Sequence, residues 1–365
     1  MNQAYITHIG LANPPHEITQ DRSVDFMSRA LGGGEALRRK LRVLYRSTAI
    51  DKRHSVLEDY IRDQQRDFYP ENDQLEPFPV TSDRMEVYRR EGIKLAKMAI
   101  ASGIPQEVLP QVTHLITVSC TGMYAPGLDI DLVEQVPLAT HVQRTCVNFM
   151  GCYAAFNALK IADTICRAEP AAKVLIVDVE LCTLHFQKKD TPDHLIANAL
   201  FADGAAAVLV QANPIKEGNN LALEGFFSDL VPAGRDEMAW HITETGFEMK
   251  LSAYVPEMLQ QGIGKLVSRL LETYNLTLDQ IDRFAIHPGG RRILEVIEKV
   301  LGITREDNAP AYEVLRQYGN MSSVTVLFVL EHLRRQLTVG DQGKRILSMA
   351  FGPGLTLESA VLRVS

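Results

Sequence analysis

Lys173-Val-Leu-Ile-Val-Asp-Val-Glu180 is a short run dominated by β-branched residues, and it reads as a buried strand. Upstream lies a helix-period segment, Ala154–Arg167, and before it a second strand-like run, Thr113–Cys120 (THLITVSC). Downstream comes a third, Ala205–Val210 (AAAVLV). Such alternation gives an α/β protein built on a largely buried sheet. The second half repeats the order: Arg283–Ile286 runs into His287-Pro288-Gly289-Gly290, helix-like Ile293–Leu301 follows, and Gly319-Asn320-Met321-Ser322-Ser323 opens helix-like Val324–Gln336. Lys344–Ala350, a turn at Gly352-Pro353-Gly354, and Leu357–Val364 complete it. Cys152 follows Gly122 by 30 residues and Asn320 follows Gly289 by 31, a spacing that points to internal duplication, although any α/β chain alternates in this general way. The first hundred residues read as mainly polar and helical, with a basic run from Arg38 to Arg53 and a loop rich in Pro and acidic residues from Tyr69 to Asp83.

A chain of 365 residues is long enough for two domains or one large duplicated unit, which excludes small disulfide scaffolds. Apolar residues make up 46% and charged residues 23%, the balance of a packed globular protein. With a net charge of −7 the chain has no global field to recruit nucleic acid or anionic lipid, so an anionic ligand needs a local basic patch. Met1–Gly10 lacks the basic and apolar regions of a secretory signal, and no apolar run is long enough to span a membrane; the expectation is a cytoplasmic protein. The 5 cysteines, Cys120, Cys146, Cys152, Cys166 and Cys182, form no CxxC pair and no zinc-site spacing, which favours reduced thiols without metal.

Three polar residues stand at element ends. Cys152 lies between a glycine and the helix-compatible run Tyr153–Leu159, where free amides and the helix dipole favour a thiolate. His287 closes a buried strand before a turn that continues neither strand nor helix, and Asn320 sits at a helix start. Taken singly, each has an ordinary explanation: a core cysteine, a satisfied core histidine, an Asn N-cap. Together they make a nucleophilic thiol with hydrogen-bond donors for an oxyanion.

The MGCYAA around Cys152, the IHPGG around His287, the YGNMSS around Asn320 and the FGPGLT of Phe351–Thr356 resemble the type III polyketide synthases, the chalcone synthase superfamily. The resemblance implies a thiolase-like fold, a duplicated five-layered αβαβα architecture. On that pattern residues 1–215 form the half with Cys152 and the basic segment, and residues 216–365 the half with His287 and Asn320. It also implies a homodimer, acyl-CoA and malonyl-CoA as substrates, and no metal or organic cofactor. A carrier protein is not indicated. Cys152 would carry the acyl chain, held as a thiolate by His287, while His287 and Asn320 would stabilise the enolate formed when the malonyl group loses carbon dioxide. Arg39, Arg42 and Arg46 fall in the stretch that binds coenzyme A phosphates, unless the basic run is only a solvated helix face.

Phe201 and Phe247 match the gatekeepers between tunnel and cavity. Thr121, Ala125 and Cys182 resemble the bacterial alkylpyrone and alkylresorcinol synthases, in which a fatty acyl chain threads through the cavity floor. That implies an acyltransferase using a medium-to-long acyl starter and closing an alkylpyrone or alkylresorcinol, with Ser322 near the cyclisation chemistry. Trp240 falls in the cavity wall, where it would shrink the cavity. The alternatives are a single-condensation ketoacyl synthase, which GNMSS and FGPGLT oppose, and a non-catalytic acyl-binding partner.

Overall fold

The computed structural model describes residues 3–216, 218–252 and 254–365. In chain order the elements are β1 (Tyr5–Ala12), β2 (His16–Thr19), α1 (Gln20–Ala30), α2 (Glu35–Ser47), β3 (Lys52–Ser55), α3 (Thr81–Gly103), β4 (His114–Ser119), α4 (Leu128–Gln135), β5 (Gln143–Asn148), α5 (Ala154–Ala168), β6 (Lys173–Leu181) and α6 (Pro192–Leu200). They continue as β7 (Asp203–Gln211), β8 (Leu221–Leu230), β9 (Met238–Thr243), β10 (Gly246–Leu251), α7 (Val255–Thr273), β11 (Arg283–Ile286), α8 (Arg291–Leu301), α9 (Ala309–Tyr318), α10 (Val324–Gln336), β12 (Arg345–Gly352) and β13 (Thr356–Val364).

The main sheet has the order β11-β12-β13-β8-β1-β7-β6-β4-β5. In the first half β4 runs parallel to β5 and β6, while β6–β7 and β7–β1 are antiparallel. The second half repeats this: β11 is parallel to β12, while β12–β13 and β13–β8 are antiparallel. Strand for strand, β4-β6-β7-β1 and β11-β12-β13-β8 are the two copies. They meet where β1 pairs β8 at Tyr5↔Ala222 and Ile6↔Leu221, with Leu223 N–H donating to Ala4 O (2.8 Å) beside them.

Between the copies lie α5 and α10, which touch each other; α5 packs on β4, β6 and β7 and reaches β13, and α10 packs on β11 and β12 and reaches β1, β6 and β7. Ala154, Ala155, Ala158 and Ala162 are fully buried on α5, and their small side chains let this middle layer fit between two sheets. Outside, α3 covers β1, β6 and β7, and α7 covers β8 and β13. The layers therefore run α, β, α, β, α, the thiolase-like architecture.

Alternation along β6 sorts its side chains. Leu175, Val177, Val179 and Leu181 join the core under α1–α4, whereas Val174 and Ile176 join the core around α5 and α10. Asp178 and Glu180, in register with the second set, are fully buried in the middle layer beside the helix starts.

The first hundred residues carry the expected helices α1, α2 and α3, and with them strands that the helical reading did not include. Here β1 is an inner strand of the sheet, and β2 pairs β3. The register of β1 on β7 shifts between Ile6 and His8, so its burial follows no two-residue period and does not read as a strand. Among the described residues, no helix is long and apolar enough to cross a membrane.

Candidate active site

Cys152 sits in the turn that carries β5 into α5, two residues ahead of the helix, and is 4% exposed. Its predecessor Gly151 has φ +93°, and a methyl group there would lie 2.3 Å from Pro353 Cδ. On the other side, a methyl on Gly352 would meet the Tyr153 ring at 2.6 Å. The turn holding the thiol is thus clamped against the β12–β13 turn of the other half, at a spacing only glycine allows. Gly151 N–H also donates to Cys120 Sγ (2.9 Å), so a second buried cysteine fixes the same turn.

His287 follows β11 and donates its backbone N–H to Met349 O (2.8 Å), extending the β11–β12 ladder by one residue. It is 1% exposed, and neither ring nitrogen has a hydrogen-bond partner. Asn320 lies four residues ahead of α10, whose cap is Ser323, so the ordinary alternative of an Asn N-cap does not apply. Its backbone instead bridges Phe201: Ala202 N–H donates to Asn320 O (2.8 Å) and Asn320 N–H to Leu200 O (2.9 Å). The Asn320 carbonyl oxygen accepts Ser322 N–H (2.9 Å) and its NH2 donates to Gly289 O (3.4 Å), which orients the amide and leaves a second N–H available.

Cys152, His287 and Asn320, from three distant segments, line one small cavity of about 10 Å³. Burial pushes the Cys152 thiol up to about 12; hydrogen bonding from Ser322, the residue's own N–H and Asn320 pulls it down, and the charge of Glu180 pushes it up. Burial alone takes His287 down to about 3. Burial thus works against both charged forms of the ion pair expected from sequence.

Beneath the thiol, Ser323 Oγ lies 2.9 Å from Asp178 Oδ1 and 2.8 Å from Glu180 Oε1. One hydroxyl proton serves only one of these contacts, so a carboxyl proton makes the other, and the acid pair retains a proton. Burial raises both carboxyl groups, and for Asp178 the neighbouring Glu180 charge adds to it. Glu180 further accepts Cys120 N–H (3.0 Å) and the Thr121 hydroxyl (2.7 Å). Neither acid was picked out as a site residue from sequence; their signal was a charged pair inside an otherwise apolar strand.

The pocket continues in two directions. Outward it shares Leu251, Gly289 and Ile293 with a cavity of about 200 Å³ between the end of α2 and the start of α8. Inward it shares Phe201 and Met249 with a cavity of about 40 Å³. Phe201 therefore stands between pocket and inner cavity, and Arg53 holds it there by donating to Phe201 O (2.5 Å) and Asn198 O (2.8 Å). Phe247 stacks on His185, rings 4.4 Å apart and 6° from parallel, and Trp240 lies 6.3 Å from Phe201 and 6.5 Å from Phe247.

The three residues read as a tunnel do not converge. Cys182 lines the inner cavity, Ala125 is exposed and lines a separate cavity beside Tyr124 and Cys146, and the buried Thr121 accepts Leu181 N–H (2.8 Å) while donating to Glu180. Ser322 is fully buried with φ +51°, its hydroxyl beside the Cys152 thiol. On α2, Arg38 pairs with Asp25 and Lys40 with Asp190, whereas Arg39, Arg42 and Arg46, at helical spacing, have no ion-pair partner among the described residues.

Comparison with known proteins matches both halves of the chain. The model of the chalcone and stilbene synthase N-terminal domain covers residues 1–214, and that of the C-terminal domain residues 223–365. The "alpha-pyrone synthesis polyketide synthase-like Pks18" of Mycobacterium tuberculosis is 34% identical over 77% of this chain and 73% of its own. "Type III polyketide synthase A" of Arabidopsis thaliana is 30% identical over 99% of this chain and 93% of its own. Among solved structures, PKS-I from the brown alga Ectocarpus siliculosus superposes with a TM-score of 0.92 at 27% identity, covering 100% of this chain and 99% of that one.

Proposed function

Because the chain belongs to the chalcone and stilbene synthases, the type III polyketide synthases that condense coenzyme A thioesters, we propose that it loads an acyl group on Cys152 and extends it with malonyl-CoA. The observation that carries this reading is the meeting of Cys152, His287 and Asn320 on one buried cavity with an outer opening and an inner extension. The starter enters through the outer cavity, its phosphates met by Arg39, Arg42 and Arg46 on α2. Cys152 Sγ attacks the thioester carbonyl as its proton passes to His287, and coenzyme A leaves. Malonyl-CoA then occupies the same opening. His287 and the free Asn320 N–H donate to its thioester oxygen, so that loss of carbon dioxide leaves a stabilised enolate that attacks the acyl-Cys152 carbonyl, breaking the bond to Sγ, releasing the Cys152 thiolate and leaving the extended chain on coenzyme A. No strong base is needed for this carbanion.

Past Phe201 the acyl chain is directed toward the apolar side chains of Ile18, Met27, Phe186 and Met249, and with about 40 Å³ there the wall has to move to take a medium-to-long fatty acyl starter, whose buried methylenes contribute ~0.8 kcal/mol each. Such a starter leads to an alkylpyrone or alkylresorcinol, and the alpha-pyrone assignment of the mycobacterial relative favours the pyrone. A homodimer is part of the proposal, because β5 pairs only with β4 and offers its other edge, with Arg144, Thr145 and Cys146 exposed, to a second copy. Mass spectrometry of products from malonyl-CoA and a series of acyl-CoA starters, acetyl to palmitoyl, tests the reading. Pyrones or resorcinols that increase with starter length support it; products from short starters alone contradict the fatty acyl part.

A further inference from the structure

Two carboxyl groups lie beneath the thiol, and the reaction described above gives neither of them a role. Asp178 and Glu180 are fully buried, and no basic side chain contacts either among the described residues. The titratable groups that face them are themselves acids: Tyr88 of α3, Cys120 after β4, Cys152 before α5 and Cys182 after β6. Buried acids without a cation are costly, and two of them beside a reactive thiol point to chemistry. Their hydrogen bonds show where the proton that the pair retains is held. Glu180 accepts the Cys120 N–H and the Thr121 hydroxyl, as a carboxylate does, whereas Asp178 Oδ2 has no partner and Oδ1 meets only Ser323 Oγ. Asp178 therefore carries the proton and donates to Ser323, which donates in turn to Glu180. The Ser322 hydroxyl extends this path to sulfur: fully buried and held at φ +51°, it lies beside both Glu180 and the Cys152 thiol.

On the reading that malonyl-CoA extends a chain held on Cys152, each extension consumes one proton. The malonyl carboxylate leaves as carbon dioxide, condensation releases Cys152 as a thiolate, and one coenzyme A finally departs as a thiol. Loading of the starter consumes none, because the proton lost by Sγ leaves with coenzyme A. We propose that Asp178 stores the proton of each extension and passes it to the Cys152 thiolate through Ser323, Glu180 and Ser322. In this step the Asp178 O–H bond breaks and an Sγ–H bond forms, while each group between them gains one proton and gives up another. Burial and the Glu180 charge push the Cys152 thiol up, which drives the transfer toward sulfur. Asp178 is left as a carboxylate and recovers its proton from water admitted when coenzyme A vacates the outer cavity. The restored thiol then takes the chain back from coenzyme A as it took the starter.

The different proton balances of loading and extension provide the test. Wild type and Asp178→Asn, which keeps the shape of the side chain but has no proton to give, are first incubated with decanoyl-CoA alone. Intact mass spectrometry follows the adduct, and steady-state consumption of malonyl-CoA is then measured across neutral and mildly alkaline pH. Loading is expected to stay within about twofold of wild type, whereas extension falls roughly tenfold at about pH 8 and recovers toward about pH 6, where solvent protons are more abundant. Ser322→Ala, which leaves the acid pair intact but interrupts the path, is expected to show the same split and serves if Asp178→Asn does not fold. Loading and extension slowed equally, extension unchanged at every pH, or a deficit that does not vary with pH overturns the proton store. Absence of any adduct on wild-type Cys152 overturns the reading of the reaction, and the store with it.

Discussion

Replacing Gly151 by alanine tests how the thiol is held. At φ +93° an L side chain is strained by ~1–2 kcal/mol. The added methyl would stand 2.3 Å from Pro353 Cδ and 3.0 Å from Cγ, so one turn has to move. Overpacking of this kind costs ~1–3 kcal/mol, which brings the total to about 2–5 kcal/mol. Gly343→Ala is the control: its φ is +83°, yet nothing lies within 4 Å of the new methyl, and it is distant in sequence from the site. It should lose only the first component, ~1–2 kcal/mol. Urea denaturation of both variants gives the difference, and turnover follows the thiol: a displacement of ~1 Å costs on the order of a hundredfold. If Gly151→Ala matched Gly343→Ala in stability and kept most of its activity, the clamp between the two halves would not position Cys152.

Other consequences are independent of the clamp. Arg42→Glu and Arg46→Glu should each raise the KM for malonyl-CoA roughly tenfold at low salt and less at high salt, while thioesters lacking the nucleotide phosphates should be barely affected. With Cys152 pushed up to about 12 and His287 down to about 3, alkylation of the resting thiol by iodoacetamide should climb by about tenfold per pH unit through neutrality. A plateau near neutral pH would show instead that the ion pair exists before substrate arrives. Burial raises Asp203 to about 6, so the folded state binds its proton more tightly than the unfolded state, and the stability this confers is present below about pH 4 and lost as pH rises through about 6. Urea midpoints of the wild type should therefore fall relative to Asp203→Asn across that window, and parallel curves would remove Asp203 from the argument.

The elements that sequence revealed are those whose pattern is local. The runs at β4, β6 and β7 are apolar because both faces are covered, and Val324–Gln336 is helical where expected. By contrast β1 carries Thr7, His8 and Gly10 and a register shift, and β5 is an edge strand with most of its residues exposed, so neither shows an apolar rhythm. Cys152, His287 and Asn320 were legible because each stands at an element end in a distinctive motif. The acid pair beneath the thiol was not, since Asp178 and Glu180 meet Ser323 across 143 to 145 residues of sequence. Thr121, Ala125 and Cys182 lie in three different surroundings within one chain, Thr121 turned to Glu180, Cys182 on the inner cavity and Ala125 facing outward.

The central claim is that Cys152 carries the acyl chain. Incubating the purified protein with an acyl-CoA starter alone, followed by intact and peptide mass spectrometry, tests it most directly. The account predicts one acyl adduct per chain, confined to the peptide containing Cys152, absent from Cys152→Ala and discharged into product when malonyl-CoA is added. An adduct on another cysteine, or product formation by Cys152→Ala at a rate comparable to that of the wild type, would contradict it.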